Sequence, residues 1–469
     1  KGLHFQRWGD APGITLTWTQ VHRRIAELIQ SDRYLADEEK AALREEQSTA
    51  DVPKPVQESE TVPIPIVPAK SFHITDDTLG VGGPKAKYAM NIAAIRTLKQ
   101  IESERRQATP QEQEILSRYV GWGGLADAFD ETKSSWQSEC RELKGLLTNE
   151  EYISARESVL NAHYTSPIVI KAIFDALERM GFTTGNFLEP ACGIGNFFGL
   201  VPESMAGSRF YGVELDSITG RIAKLLYPEN DIRIQGFEEA DLPDSFFDAA
   251  IGNVPFGDYS VADKRYDRHH FLIHDYFFAK AIDKVRPGGI VAFITSSGTM
   301  DKKNPSTRRY LAQRVDLIGA VRLPKNAFFA NAGTAVVADI LFLQKRDRPI
   351  EIEPDWVHLG TTPDGLTVNQ YFVDNPDMIL GELTTESTQY GRQECTVKPI
   401  EGAVLADQLH DALSGLHAEL TGFAPADDLE ESDSDSIPAD PNVRNFSFTI
   451  VDGEIYYREN SRMRKVDAS

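Results

Sequence analysis

The segment Asn186-Phe187-Leu188-Glu189-Pro190-Ala191-Cys192-Gly193-Ile194-Gly195 reads as a strand, a tight turn and the start of a helix. Gly193 and Gly195 let the backbone approach a bound group closely. Glu189 and Pro190 close the strand and Ala191 enters the turn, so Glu189 sets an acid where a cationic ammonium or sulfonium would be held. Glycine pairs also occur in ordinary strand-to-helix turns. A dinucleotide fingerprint needs a third glycine where Phe198 stands, which weakens a nicotinamide reading. One strand later comes Tyr211-Gly212-Val213-Glu214-Leu215-Asp216. An acid about 20 residues past the glycines can accept hydrogen bonds from ribose hydroxyls. Glu214 is the better candidate, because Asp216 reads as the N-cap of a helix through Leu226. The two motifs together indicate a ligand that carries a nucleoside.

Such residues need a scaffold that gathers strand ends. From Ser166 to about Gln344 strands and helices alternate, with strands expected near 186–190, 209–214, 231–235, 247–252, 289–295, 316–322 and 336–343. Helix-sized stretches separate the first five. That is an α/β pattern, a doubly wound, mostly parallel seven-stranded sheet of Rossmann-like type. The last strand follows a loop without an obvious helix, so it is expected to run antiparallel. Ser166-Pro167 starts a helix that runs to Met180, Phe271 to Val285 reads as another, and Pro287-Gly288-Gly289 reads as a turn.

The flanks are less regular. Residues 1–47 read as helical, 48–72 as a Pro-rich linker, and 73–150 as a helical region that could bind DNA. Within the last, Thr109-Pro110-Gln111-Glu112 is a helix start and Gly121-Trp122-Gly123-Gly124 a turn. The catalytic core is bounded at 151–346, followed by a mixed region at 347–423 and an acidic, disordered linker at 424–443. A β-hairpin tail turning at Asp452-Gly453 occupies 444–469. With 469 residues and 41% hydrophobic content, two or three domains are expected. No apolar run approaches the ~20 residues of a membrane span, so a soluble, cytoplasmic protein is expected. Lys1-Gly2-Leu3 reads as an internal start, so the chain is expected to belong to something larger. Cys140, Cys192 and Cys395 have no paired metal-ligand spacing, so no metal site is expected. The net charge of −22 argues against non-specific coating of nucleic acid but leaves room for a local basic groove.

From Asn161 to Gln344 the chain resembles the catalytic domain of the gamma-type N6-adenine DNA methyltransferases, which use S-adenosyl-L-methionine. The cofactor loop matches Glu189 to Gly195, the ribose acid matches Glu214, and Leu215 falls where a side chain packs on the cofactor adenine. Asn161-Ala162-His163-Tyr164-Thr165-Ser166-Pro167 resembles the upstream segment that closes over the methionine part, which implies roles for Tyr164 and Thr165. At Gln235-Gly236-Phe237-Glu238 the family usually has Asp-Phe. Gly236 replaces the Asp, so Phe237 keeps its place and Glu238 is the candidate for the missing acid.

The acceptor loop, Asn253-Val254-Pro255-Phe256, ends the fourth strand. An aromatic amino nitrogen is a poor nucleophile because its lone pair is delocalised. Two acceptors, the Asn253 side-chain oxygen and the Val254 carbonyl, can hold both amino hydrogens. Pro255 stiffens the loop and Phe256 offers a stacking face. The family usually has Pro at the second place; Val supplies the same carbonyl. Phe328-Phe329 precede the last strand, and either could press on a flipped base or pack in the core.

A flipped base implies a basic rim. Lys264, Arg265 and Arg268 after the fourth strand and Lys302, Lys303, Arg308 and Arg309 after the fifth are the candidates, expected at the carboxyl edge. Lys85, Lys87, Arg96, Lys99, Arg105 and Arg106 form a third basic group, better read as a solvated helix face. Segments 80–125, 394–399 and 452–461 are similar to a narrower group of phage and conjugative-element proteins that join such a methylase to a helicase-like ATPase. The chain has no phosphate-binding Gly-Lys-Ser or Gly-Lys-Thr, so any motor is expected outside it. Rival readings are a protein-glutamine methyltransferase, an RNA-adenine methyltransferase, and a catalytically silent scaffold.

Overall fold

The computed structural model describes residues 3–5, 14–16, 70–160, 164–328, 336–387, 393–418 and 436–466. The chain divides into two compact units, 1–67 and 68–469. In the first, Leu3–Phe5 and Ile14–Leu16 pair as antiparallel strands. This corrects the helical reading at those positions; the rest of 1–47 lies outside the described residues, as does most of the Pro-rich stretch.

The second unit is built on a seven-stranded sheet. Its strands are β1 (Asn186–Glu189), β2 (Arg209–Glu214), β3 (Asp231–Ile234), β4 (Phe247–Asn253), β5 (Val285–Ser296), β6 (Val315–Arg322) and β7 (Ala338–Lys345). Their spatial order is β3-β2-β1-β4-β5-β7-β6. The pairs from β3 to β5 are parallel, and β7 is antiparallel to both its neighbours. This is a doubly wound, mostly parallel sheet with its last strand antiparallel, as the sequence leads one to expect. Alternate residues enter opposite faces, as strand geometry requires. Phe187, Ala249 and Ile251 join one apolar cluster while Leu188 and Ala250 join the other. Covering both faces explains why these strands read as near-continuous apolar runs.

Helices α1 (Pro84–Glu104), α2 (Pro110–Leu116), α3 (Gln137–Leu146), α4 (Asn149–Glu157), α5 (Pro167–Arg179), α6 (Ser217–Leu226) and α7 (Ile273–Lys284) surround the sheet. Thr109 caps α2 in a full capping box with Glu112, and Asp216 caps α6. Helices α1, α2, α5 and α6 contribute to one apolar cluster and α7 to the other. Pro287 to Gly289 do not form a free turn. They lie inside β5, where the register against β4 jumps between Phe247 and Ala249. Gly288 takes φ +74 there, a bulge rather than a strand start.

After β7 come two short hairpins, Leu359–Thr361 with Thr367–Asn369 and Glu382–Ser387 with Gln393–Lys398, and a helix, Leu405–Ser414. The C-terminal sheet joins Ser436–Pro438, Phe448–Val451, Glu454–Glu459 and Arg462–Lys465. The reading of 424–443 as disordered is corrected from 436 onward, because Ala439 is fully buried. Among the described residues no helix is long and apolar enough to cross a membrane.

Candidate active site

The carboxyl ends of β1, β2 and β4 and the segment after β3 meet around a cavity of about 410 Å³. Each predicted side chain arrives by its own route. Glu189 is the last residue of β1 and is 3% exposed. Its side chain lies across Gly252, where an added Cβ would stand 3.2 Å from Glu189 Cγ, so the acid sits beside the acceptor loop. Among the described residues Glu189 Oε2 has no hydrogen-bond partner. Burial, then the Glu214 charge, raises its carboxyl well above the usual range.

Glu214 ends β2. Its Oε2 accepts from Gly193 N at 2.9 Å and its Oε1 from Asp216 N at 2.7 Å. Burial, followed by the Asp216 charge, still pushes it up to about 7. Gly193 takes φ +57 in the turn, with the Tyr164 ring lying over it. Leu215, 75% exposed, stands at the cavity with no apolar cover.

Any side chain at Gly236 would collide with the Glu238 carboxylate, which folds back over that glycine. Glu238 lines the cavity from this position. Phe237 is buried against Phe277, with ring centroids 4.9 Å apart.

Asn253 ends β4 and turns the chain into the cavity. Val254 is buried, and its N–H donates to Ile294 O at 3.1 Å, which anchors the loop to β5. Pro255 and Phe256 follow on the cavity wall.

Tyr164, Thr165, Glu189, Pro190, Ala191, Gly193, Glu214, Leu215, Phe237, Glu238 and Asn253 to Phe256 all line this cavity. Gly195 does not. It caps the short helical turn Asn196–Gly199 at φ +86, and a Cβ there would meet Tyr227 at 2.6 Å, so its reason is packing. Residues 161–163 lie outside the described residues. Phe328 is a core residue, 2% exposed, and Phe329 lies outside the described residues.

Sequence reasoning missed Tyr119, Gly121, Ser154, Glu157 and Ser158, which line the cavity from the helical segment, and Tyr259, Val261 and Ile273 beyond the acceptor loop. No motif marks them. Five acids line the cavity (Glu157, Glu189, Glu214, Asp216 and Glu238), and among the described lining residues there is no Lys, Arg or His. Such walls favour a cationic nucleoside over a phosphorylated one.

Within the basic rim, the expected carboxyl-edge placement of Arg265 is corrected. Arg265 pairs with Asp244 and Asp283, each at 2.7 Å. Asp283 is near the end of α7, beside the start of β5, so Arg265 sits at the amino edge, away from the cavity. Lys264 and Arg268 are exposed on the same loop, and Arg268 Nε contacts His269 Nε2 at 3.1 Å. Lys302 is held by buried Asp275. Arg308 is 1% exposed and donates to the carbonyls of Val357, Lys302 and Thr299. Arg309 pairs with Glu353 at 2.8 Å. Lys303 is exposed. In the third basic group, Lys85, Arg96, Lys99 and Arg106 pair with Glu139, Glu142, Glu151 and Glu112, and Lys87 is buried. Arg265, Lys302, Arg308 and Arg309 have thus each met an acid or carbonyl on another element.

No protein-family model matches the chain. It is 29% identical over 259 residues to the defense against restriction protein B of Escherichia phage P1, covering 54% of this chain and 10% of that protein. It is 27% identical over 237 residues to the type II methyltransferase M.CvrRI of Paramecium bursaria Chlorella virus XZ-6E, covering 42% of this chain and 60% of that protein. The chain therefore spans less than two thirds of either relative. Among solved structures, the M protein of type I restriction enzyme EcoKI aligns over 71% of this chain and 89% of its own, with 15% identity and a TM-score of 0.34. TrmN from Thermus thermophilus aligns over 38% of this chain and 49% of its own, with 18% identity and a TM-score of 0.27. By its strand order the chain has the fold of the class I methyltransferases, and it is similar in sequence to a phage defense-against-restriction protein and a viral type II methyltransferase.

Proposed function

We propose that this chain binds S-adenosylmethionine in the carboxyl-edge cavity and moves its methyl group to N6 of adenine in DNA. The observation that carries the reading is one shared space: Asn253 to Phe256 line the same cavity as Glu189, Gly193 and Glu214. The residues fit the cofactor. Glu189 has a buried carboxylate oxygen that a cationic ammonium or sulfonium would satisfy. Glu214 would accept from ribose hydroxyls. Leu215 and Phe237 offer apolar faces to the purine, and Glu238 offers an acceptor to its amino group. Tyr164 and Thr165 would close over the methionine part. Bound S-adenosylmethionine supplies an electrophilic methyl.

The chain's own groups do the rest. The Asn253 side-chain oxygen and the Val254 carbonyl accept the two amino hydrogens and draw the nitrogen lone pair out of conjugation. Pro255 restricts the loop, and Phe256 stacks on the base. Transfer would be direct and in line, with the nitrogen lone pair taking the methyl as its bond to sulfur breaks, a neutral thioether leaving and one amino proton passing to water, so catalysis is positioning plus electrostatics. In a duplex the base must first leave the stack. Resemblance to methylase–ATPase fusions supports a helicase-like ATPase as a covalent partner in the full-length protein of a mobile element.

The pairing of Arg265, Lys302, Arg308 and Arg309 within the protein favours one second reading, transfer to a glutamine amide of a partner protein. An amide nitrogen poses the same problem to the acceptor loop. Expressing the chain and digesting host DNA and protein for mass spectrometry separates the two. N6-methyldeoxyadenosine that disappears in Asn253→Ala is the expected result. Methylglutamine with unmodified DNA would replace the first reading with the second.

A further inference from the structure

Asn91, in the middle of α1, is fully buried. Its Nδ2 donates to Gly121 O at 2.5 Å and its Oδ1 accepts from Val120 N at 2.9 Å. One side chain thus clamps both sides of a turn about 30 residues away, a distance that the bond geometry leaves little freedom to vary. Trp122 locks the same turn from behind, edge-on to Phe129 at 5.2 Å. The clamp presents Tyr119 and Gly121 to the cavity. Tyr119 packs edge-on against Tyr164, with centroids 6.5 Å apart, and Tyr164 in turn roofs Gly193.

The end of α4 closes the next stretch of wall. Ser154 Oγ donates to Asp216 Oδ2 at 2.7 Å, while Asp216 Oδ1 caps α6 through Thr219 N at 2.8 Å. Glu151, one turn earlier, ties α4 to α6 through Arg221 and to α1 through Lys99. Ser154, Glu157 and Ser158 then face the cavity beside Leu215 and Asp216. Buried polar bonds are worth keeping only where each is satisfied, and a wall fixed at both edges can hold a ligand to a fraction of an ångström.

We propose that the helical segment before the sheet is itself a cofactor-binding wall, in which the Asn91-clamped turn at 119–121 and the helix end at 154–158 cover the nucleoside side of the ligand. This rests on the cofactor reading above. Asn91 and Ser154 are positioning residues, since they act through the turn and through Asp216. The segment is then one wall of the pocket, and no separate DNA-binding module.

The test uses the whole chain. Hydrogen–deuterium exchange with and without S-adenosylmethionine should show protection at 119–121 and 154–158 as well as at 189–196. Ser158→Trp, which fills the wall, should raise the Kd roughly tenfold or more. Ile153→Trp, on the exposed side of the same helix, should leave it unchanged, and the ligand-free melting temperatures of both variants should match the parent. Protection confined to 189–196 and 214–216, with parent-like binding by Ser158→Trp, overturns the proposal. If the parent chain binds no S-adenosylmethionine, the cofactor reading fails and the wall fails with it.

Discussion

At the amino edge of the sheet, Asp248 uses both its oxygens. Oδ2 accepts from Asn186 N at 2.8 Å, and Oδ1 accepts from Arg286 Nε at 2.6 Å and Ser461 Oγ at 2.9 Å. Close by, Arg265 bridges Asp244 and Asp283, and the Lys345 amine, lowered to about 8 by burial, donates to Val285 O at 2.6 Å. At the carboxyl edge Glu189 is just as enclosed, yet one oxygen has no partner among the described residues, and burial pushes the Glu214 carboxyl up to about 7. The two edges share one sheet and one interior. They differ in whether the fold supplies the counter-charge. An enclosed carboxylate without one costs stability, and such groups persist where a ligand brings the missing charge. On the proposed function, the amino edge serves stability and the carboxyl edge serves binding.

That contrast can be broken at either edge. The largest effect is expected from Asn253→Ala, with methyl transfer reduced about 10²–10³-fold in single-turnover assays and the melting temperature unchanged. A matching loss of stability would show the loop to be structural. At the opposite edge, Asp248→Ala should lower unfolding free energy by about 3–5 kcal/mol in urea titrations, because Arg286 loses its carboxylate in a buried place. Cofactor affinity of the folded fraction should stay at the parent value. Glu189→Gln should do the reverse: S-adenosylmethionine binds about 10–100-fold more weakly, while the ligand-free protein melts at the same temperature or higher.

The smallest effect comes from pH. The Glu214 carboxyl is raised to about 7, so its charged form is lost as pH falls through that value. If that form accepts from the ribose, affinity should weaken about tenfold between pH 8 and pH 6. A flat profile by equilibrium dialysis would remove Glu214 from the binding set. The ligand-free fold responds with the opposite sign, losing stability as rising pH forces the enclosed carboxyl to ionise.

Much of this was legible because it is local. Apolar runs bounded by turn residues mark β1 to β4. Strand-end motifs mark Glu189, Glu214 and Asn253, and a parallel sheet brings strand ends to one edge without further information. What failed to show is what depends on distant partners. The basic runs at 264–268 and 302–309 carry no sign of Asp244, Asp283 or Glu353, which neutralise two of their members, Arg265 and Arg309. Tyr119 and Ser154 bear no motif, because their role comes from packing against Tyr164 and Asp216. Gly195 was right as a glycine for the wrong reason, since Tyr227 forbids its Cβ. Acidic composition hid the strand at 436–438, where Ile437 and buried Ala439 pack toward the core.

The central claim, that the carboxyl edge withholds a charge which the cofactor supplies, has one direct measurement. Titrating S-adenosylmethionine into the chain by calorimetry at pH 7, in two buffers of different ionisation enthalpy, reads binding and proton release together. The account predicts saturable binding with net proton release, because burial raises the carboxyls of this edge and a cation arriving beside them favours their charged forms. Binding whose enthalpy is the same in both buffers, or no binding at all, would contradict it.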